Sequence, residues 1–174
     1  FKTLHLYDGG VYDNLGLEPL FDVGKQAITN HTGSPIVDFL VVSDAGAPFI
    51  RNVIPGPLNP GRLKRVADVA FDQARALRVR SFVNYLKSSA NAGLYLQIGS
   101  NPVFCIEEYS RQYNVASQAM AYKWLPPEQI CAAATCKTSL SRMREIDFDL
   151  IAQHGYETAL WNELVFITGG NNES

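Results

Sequence analysis

Asp8 is preceded by the strand-like run Thr3-Leu4-His5-Leu6-Tyr7 and followed by Gly9-Gly10, so an acid is delivered to a strand tip and held at a glycine turn. A carboxylate at a rigid strand end is a common way for an α/β protein to present a reacting group to a crevice. Gly9 and Gly10 tolerate positive φ and allow other backbone or a ligand to come close. The chemistry open to such an acid is proton transfer. Within about 2.6–3.2 Å of a hydroxyl it acts as a general base, and desolvation raises its pKa and strengthens it in that role. Asp-Gly-Gly is also a common turn tripeptide, and local sequence leaves both readings open.

Other residues of the right type are less well placed. His5 lies three residues before Asp8, and a regular strand sends its side chain to the opposite face, against a His5–Asp8 pair. Asp44 is a second acid at a strand tip, where Asp-Ala-Gly reads as a strand exit. Asn14 suits hydrogen bonding to loop backbone, and Asp13 suits the cap of a short helix that follows it. Cys105, Cys131 and Cys136 are odd in number, against a disulfide framework, and Cys131 and Cys136, in Ala-rich surroundings, read as buried small hydrophobes. His5, His31 and His154 are isolated in sequence, against a metal site. No serine or cysteine has glycine two residues before it or two after it, so the small flanks of a G-x-S-x-G nucleophile elbow are missing.

The longer run Asp8-Gly9-Gly10-Val11-Tyr12-Asp13-Asn14-Leu15-Gly16, continued by Glu18-Pro19-Leu20, resembles the signature around the catalytic aspartate of patatin-like phospholipases. A weaker likeness runs through Val37–Ser43 and from Thr138-Ser139-Leu140 to Gly155-Tyr156. The resemblance implies a serine acyl hydrolase working by a Ser–Asp dyad, on a three-layer α/β/α sandwich with a mainly parallel sheet. It implies Asp8 as the catalytic acid, a lipid or ester substrate, peripheral membrane contact, a cytoplasmic or membrane-surface location, and neither metal nor organic cofactor. In that family the nucleophile and a Gly-rich oxyanion hole precede the aspartate. The chain opens at Phe1 inside a strand-like run, and therefore reads as the C-terminal portion of a longer enzyme whose upstream part supplies both. Two other classes stay open: a non-catalytic interaction module on a degenerate hydrolase scaffold, and a Rossmann-like nucleotide-binding domain. Against the latter, no G-x-G-x-x-G follows any strand.

The elements that must position these residues follow from pattern. With 174 residues, 47% hydrophobic and 18% charged, the chain has ordinary globular composition and enough length for one core. A net charge of −2 provides no basic footprint for nucleic acid. Leu17–Val23 reads as a short helix closed by Gly24, and Thr29–Pro35 as loop. Ile36–Val42 is the best strand, apolar enough to be covered on both faces. Residues 48–61 carry four prolines and form a surface loop. Arg62–Ser88 has apolar residues at three- and four-residue steps and predicts a long helix. Its arginines and lysines suit either a solvated face or an anionic lipid surface. Gly93–Gly99 predicts a strand and Phe104–Tyr122 a partly helical stretch. Lys137–His154 reads as a helix started at Thr138 or Ser139 and stopped by Gly155, with a second short helix over Tyr156–Phe166. Residues 169–174 read as a frayed polar tail.

Overall fold

The computed structural model describes residues 13–29, 37–46, 56, 58–89, 91–111, 115, 117–137, 139 and 141–167. Within them helices and strands are mixed, with one parallel strand pair, an arrangement compatible with the α/β class. Two compact units are present, one drawn from Phe1–Asp38 and Phe49–Ser88, the other from Phe39–Pro48 and Ser89–Ser174. The 169–174 tail and most of the 48–61 loop lie outside the described residues.

In the first unit, the helix expected over Leu17–Val23 is replaced by a turn and a hairpin. Leu20 and Phe21 both donate backbone N–H bonds to the Leu17 carbonyl, at 3.0 and 2.8 Å. Strands β1 (Phe21–Asp22) and β2 (Ala27–Ile28) then pair antiparallel. Asp22 is the physical reason. Its Oδ1 accepts the N–H groups of Gly24 and Lys25, both at 2.9 Å, offering the backbone a turn in place of helical bonds. Those bonds to the charged form hold the Asp22 carboxyl below the usual carboxylate range. Gln26 completes the turn at φ +51°.

Helix α1 (Gly61–Ser88) forms as its periodicity predicts, and Asn59 Oδ1 accepts the Gly61 N–H at 2.8 Å at its start. Among the described residues, its buried positions, Ser81 and Phe82, fall in its last third. Phe82 is fully buried and packs edge-on against buried Phe21, with ring centroids 5.3 Å apart; a buried ring of this size contributes about 1.5–3 kcal/mol. Ser81 Oγ donates to the Val23 carbonyl at 2.7 Å, fastening the helix to the hairpin turn. Earlier in the helix Leu63 is 77% and Val66 60% exposed. The expected apolar stripe is therefore present, and its first turns stand in solvent.

The second unit is built on β3 (Leu40–Asp44) and β4 (Gly93–Gln97), parallel and in the register Leu40↔Gly93 to Asp44↔Gln97. β3 begins later than Ile36, and the expectation of burial on both faces fails. Leu40, Val42 and Asp44 are buried, while the alternate positions Val41 and Ser43 are exposed. The period of two decides the outcome: one face meets the core and the other does not.

Four helices complete this unit: α2 (Pro102–Tyr109), α3 (Ser117–Ala121), α4 (Pro127–Ala134) and α5 (Glu145–Phe166). Asn101 caps α2 by accepting the Phe104 N–H at 3.3 Å. Helix α5 starts later than expected and runs through Gly155 without a break, where a stop and a second helix were expected. Gly155 is exposed, whereas His154, Glu157, Thr158 and Trp161 around it are buried. The buried face outweighs the roughly 1 kcal/mol by which an interior glycine disfavours a helix. Ile106, Ala119, Trp161, Leu164 and Val165 form the core of the unit. Tyr109 and Phe166 meet edge to face at 4.9 Å beside it.

Candidate functional site

Asp8, its glycine turn and His5 lie outside the described residues. The downstream half of the same signature is described, and its geometry is that of a closed loop. Asp13 Oδ1 accepts the Leu15 N–H at 3.2 Å and Oδ2 accepts the Glu18 N–H at 2.8 Å. Gly16 sits at φ +62°, a backbone conformation that glycine enters without a Cβ penalty. The capping role expected for Asp13 is therefore present, on a turn rather than a helix. Asn14 is exposed.

Arg78, on α1, ties this loop down from the side. Its guanidinium lies 4.0 Å from Asp13 and 3.6 Å from Glu18. The Asp13 side chain is only 8% exposed, so the pair is better shielded than a surface ion pair. Sequence reading missed Arg78 because a basic stripe on a long helix does not reveal which cation reaches a distant loop.

Asp44 ends β3 at the C-terminal edge of the parallel pair, where α/β proteins place ligand crevices. It is 2% exposed. Oδ2 accepts the Tyr95 hydroxyl at 2.6 Å, and Oδ1 accepts the Gly46 N–H at 3.1 Å. The Asp44 carbonyl accepts the Ile98 N–H at 2.9 Å. A short O–H···O⁻ bond of this kind is among the stronger neutral-to-charge hydrogen bonds. It fixes the strand exit, in agreement with the reading of Asp-Ala-Gly. Tyr95, one position past the partner of Val41, was not picked out by the loose alternation of its strand.

The next turn carries a second polar junction. Gly99, at φ +84°, donates its N–H to His154 Nε2 at 2.8 Å. His154 is 1% exposed, and its Nδ1 has no hydrogen-bond partner among the described residues. Because Nε2 accepts, the neutral ring carries its proton on Nδ1. Burial disfavours the imidazolium and pushes the His154 pKa below its ordinary value, with the Glu157 carboxylate opposing the shift. Trp161 Nε1 lies 3.4 Å from Ser100 Oγ on the same edge.

The three cysteines are free. Cys105 and Cys136 are half-buried, but Cys131 is exposed, contrary to the expectation of a buried residue. Cys131 lies on the outward side of α4, whose inward positions are Ile130, Ala133 and Ala134. Burial, with Glu108 nearby, pushes the Cys105 thiol up to about 11, which keeps it protonated at neutral pH. Among the described residues no three His, Cys, Asp or Glu side chains converge as metal ligands. No helix among them is long and apolar enough to cross a membrane. Comparison with family models, with curated proteins and with solved structures returns no match.

Proposed function

We propose that the chain is the C-terminal portion of a patatin-like serine acyl hydrolase, with Asp8 the general base of a Ser–Asp dyad and the serine contributed by upstream polypeptide. The observation that carries this reading is the extended run from Asp8 to Leu20, too long and too particular for a turn dipeptide. Two further features support it. Asp13 uses both carboxylate oxygens to fold the downstream half of that run. Val41 is 54% exposed on the outward side of β3 and Phe39, just before the strand, 41%, apolar surface that further layers of a three-layer α/β/α sandwich would cover.

A serine hydroxyl is a weak nucleophile until a neighbouring base removes its proton. In this mechanism Asp8 accepts that proton as serine Oγ attacks the ester carbonyl carbon. The tetrahedral intermediate collapses, the bond from the carbonyl carbon to the leaving oxygen breaks, and Asp8 returns the proton to the departing alcohol. Water then repeats the sequence on the acyl-enzyme, releasing the carboxylic acid. The substrate is a lipid or simple acyl ester. Exposed Arg62 and Lys64 beside exposed Leu63 at the start of α1 suit contact with an anionic membrane surface.

Replacing Asp8 by Asn in the full-length protein tests the assignment. Loss of a positioned general base lowers kcat by about 10²–10⁴-fold, with the circular dichroism spectrum unchanged. Ester hydrolysis at the unsubstituted rate would remove Asp8 from the chemistry.

A further inference from the structure

A cavity of about 500 Å³ opens between the end of α4, the segment that follows it and the first turns of α5. Its size falls within the roughly 300–1,000 Å³ of small-molecule sites. Three of its lining residues are cationic: Lys137, Arg142 and Arg144. Arg144 is committed to Asp147 by two 2.7 Å hydrogen bonds. Among the described residues no acidic side chain pairs with Lys137 or Arg142, so the cavity carries uncompensated positive charge. The lining also holds apolar Ala132, Leu150 and Ile151.

These two kinds of lining residue select different parts of one ligand. Two cations without partners favour an anionic group. An apolar wall gains nothing from a small, fully hydrated anion but favours a hydrocarbon segment attached to it. We propose that this cavity binds a single-chain amphiphilic anion, with Lys137 and Arg142 taking the charged head and Ala132, Leu150 and Ile151 the first carbons of the chain. The shared chemistry covers a long-chain carboxylate and an alkyl phosphate. The proposal does not rest on the acyl hydrolase reading.

Cys136, half-buried in the cavity wall, provides a reporter, and exposed Cys131 is the internal control. The test titrates the full chain with laurate and with dodecyl phosphate below their micelle concentrations, and separately with inorganic phosphate and dodecanol. Binding is followed by calorimetry and by site-resolved alkylation with iodoacetamide. The expected result is saturable one-site binding of laurate, dodecyl phosphate or both, slowing alkylation of Cys136 at least fivefold and leaving Cys131 unchanged. Whichever amphiphile binds more tightly names the head group. A Lys137→Ala/Arg142→Ala double variant should weaken binding at least tenfold, Arg142→Lys should retain it, and Ala132→Trp should abolish it by filling the cavity. The proposal is overturned by absence of saturable binding, by inorganic phosphate or dodecanol binding as tightly as the amphiphiles, or by full affinity in both the double variant and Ala132→Trp.

Discussion

Glu157, 1% exposed in the middle of α5, accepts the backbone N–H of Leu125 through Oε2 at 2.9 Å. Its other oxygen accepts the Gln153 side-chain amide at 2.9 Å. A buried carboxylate thus anchors the link between α3 and α4 to the helix at the centre of the second unit. Glu157→Ala removes the acceptor and leaves the Leu125 N–H without a partner, at a cost of about 1–3 kcal/mol. Chemical denaturation should show that loss, and hydrogen exchange at the Leu125 amide should accelerate. Unchanged exchange would mean that the bond contributes nothing to the anchoring.

The His154–Gly99 junction makes stability depend on pH. The folded-state pKa of His154 lies below its ordinary value of 6.5, so between those two values the unfolded chain binds more protons. Its contribution is fully present above about pH 6.5 and is lost as pH falls, at no more than about 1.4 kcal/mol per pH unit for one group. His154→Gln keeps an acceptor for Gly99 but cannot titrate. It should flatten the pH dependence of the denaturation midpoint between pH 5 and 7, in steps set by roughly one proton. An unaltered slope in that variant would assign the titration elsewhere.

Gly93 opposes Leu40 in the parallel pair, and a Cβ built there would overlap the Leu40 carbonyl oxygen. Backbone cannot move aside as the end of a flexible side chain can. Gly93→Ala should therefore destabilise the chain by about 1–3 kcal/mol, as overpacking does in a core. Thermal unfolding measures it, and an unshifted midpoint would show that β3 and β4 can separate there freely.

The closed loop downstream of Asp8 yields a prediction for both stability and catalysis. Asp13→Ala deletes the two carboxylate oxygens that accept the Leu15 and Glu18 N–H bonds, and one of the acidic neighbours of Arg78. The expected cost is about 0.5–2 kcal/mol, as for loss of a cap. On the proposed hydrolase reading, kcat of the full-length protein should fall more than KM rises, because the loop would hold the proposed base and not the acyl chain. A pure KM effect would place Asp13 in substrate binding instead.

How much of this could be read in advance depended on whether the signal was periodic or local. Helix α1 and strand β4 were legible because a 28-residue repeat of apolar steps and a glycine-bounded run of five are strong patterns. Helix α4 was not, since Pro126-Pro127 looks like a break; Pro127 occupies the first turn, where its missing N–H costs nothing. Thr138 and Ser139 carried cap chemistry, yet α5 starts at Glu145, directly after Arg144, which pairs with Asp147 in the first turn. Gly155 suggested a stop, and tertiary burial on its neighbours overrode it. The hairpin at Phe21 was hidden because Asp22-Val23-Gly24 suits a helix end and a tight turn equally well. In the candidate site, motif residues such as Asp13 were legible and long-range partners such as Arg78 and Tyr95 were not. Their roles depend on segments 60 and 51 positions away in sequence, respectively.

The most direct measurement of the central claim is active-site labelling of the full-length protein by a fluorophosphonate, with the adduct mapped by mass spectrometry. The account predicts one adduct, on a serine upstream of Phe1, no adduct within residues 1–174, and labelling slowed about 10²–10⁴-fold by Asp8→Asn. An adduct on a serine of this chain, or labelling of Asp8→Asn at the unsubstituted rate, would contradict it.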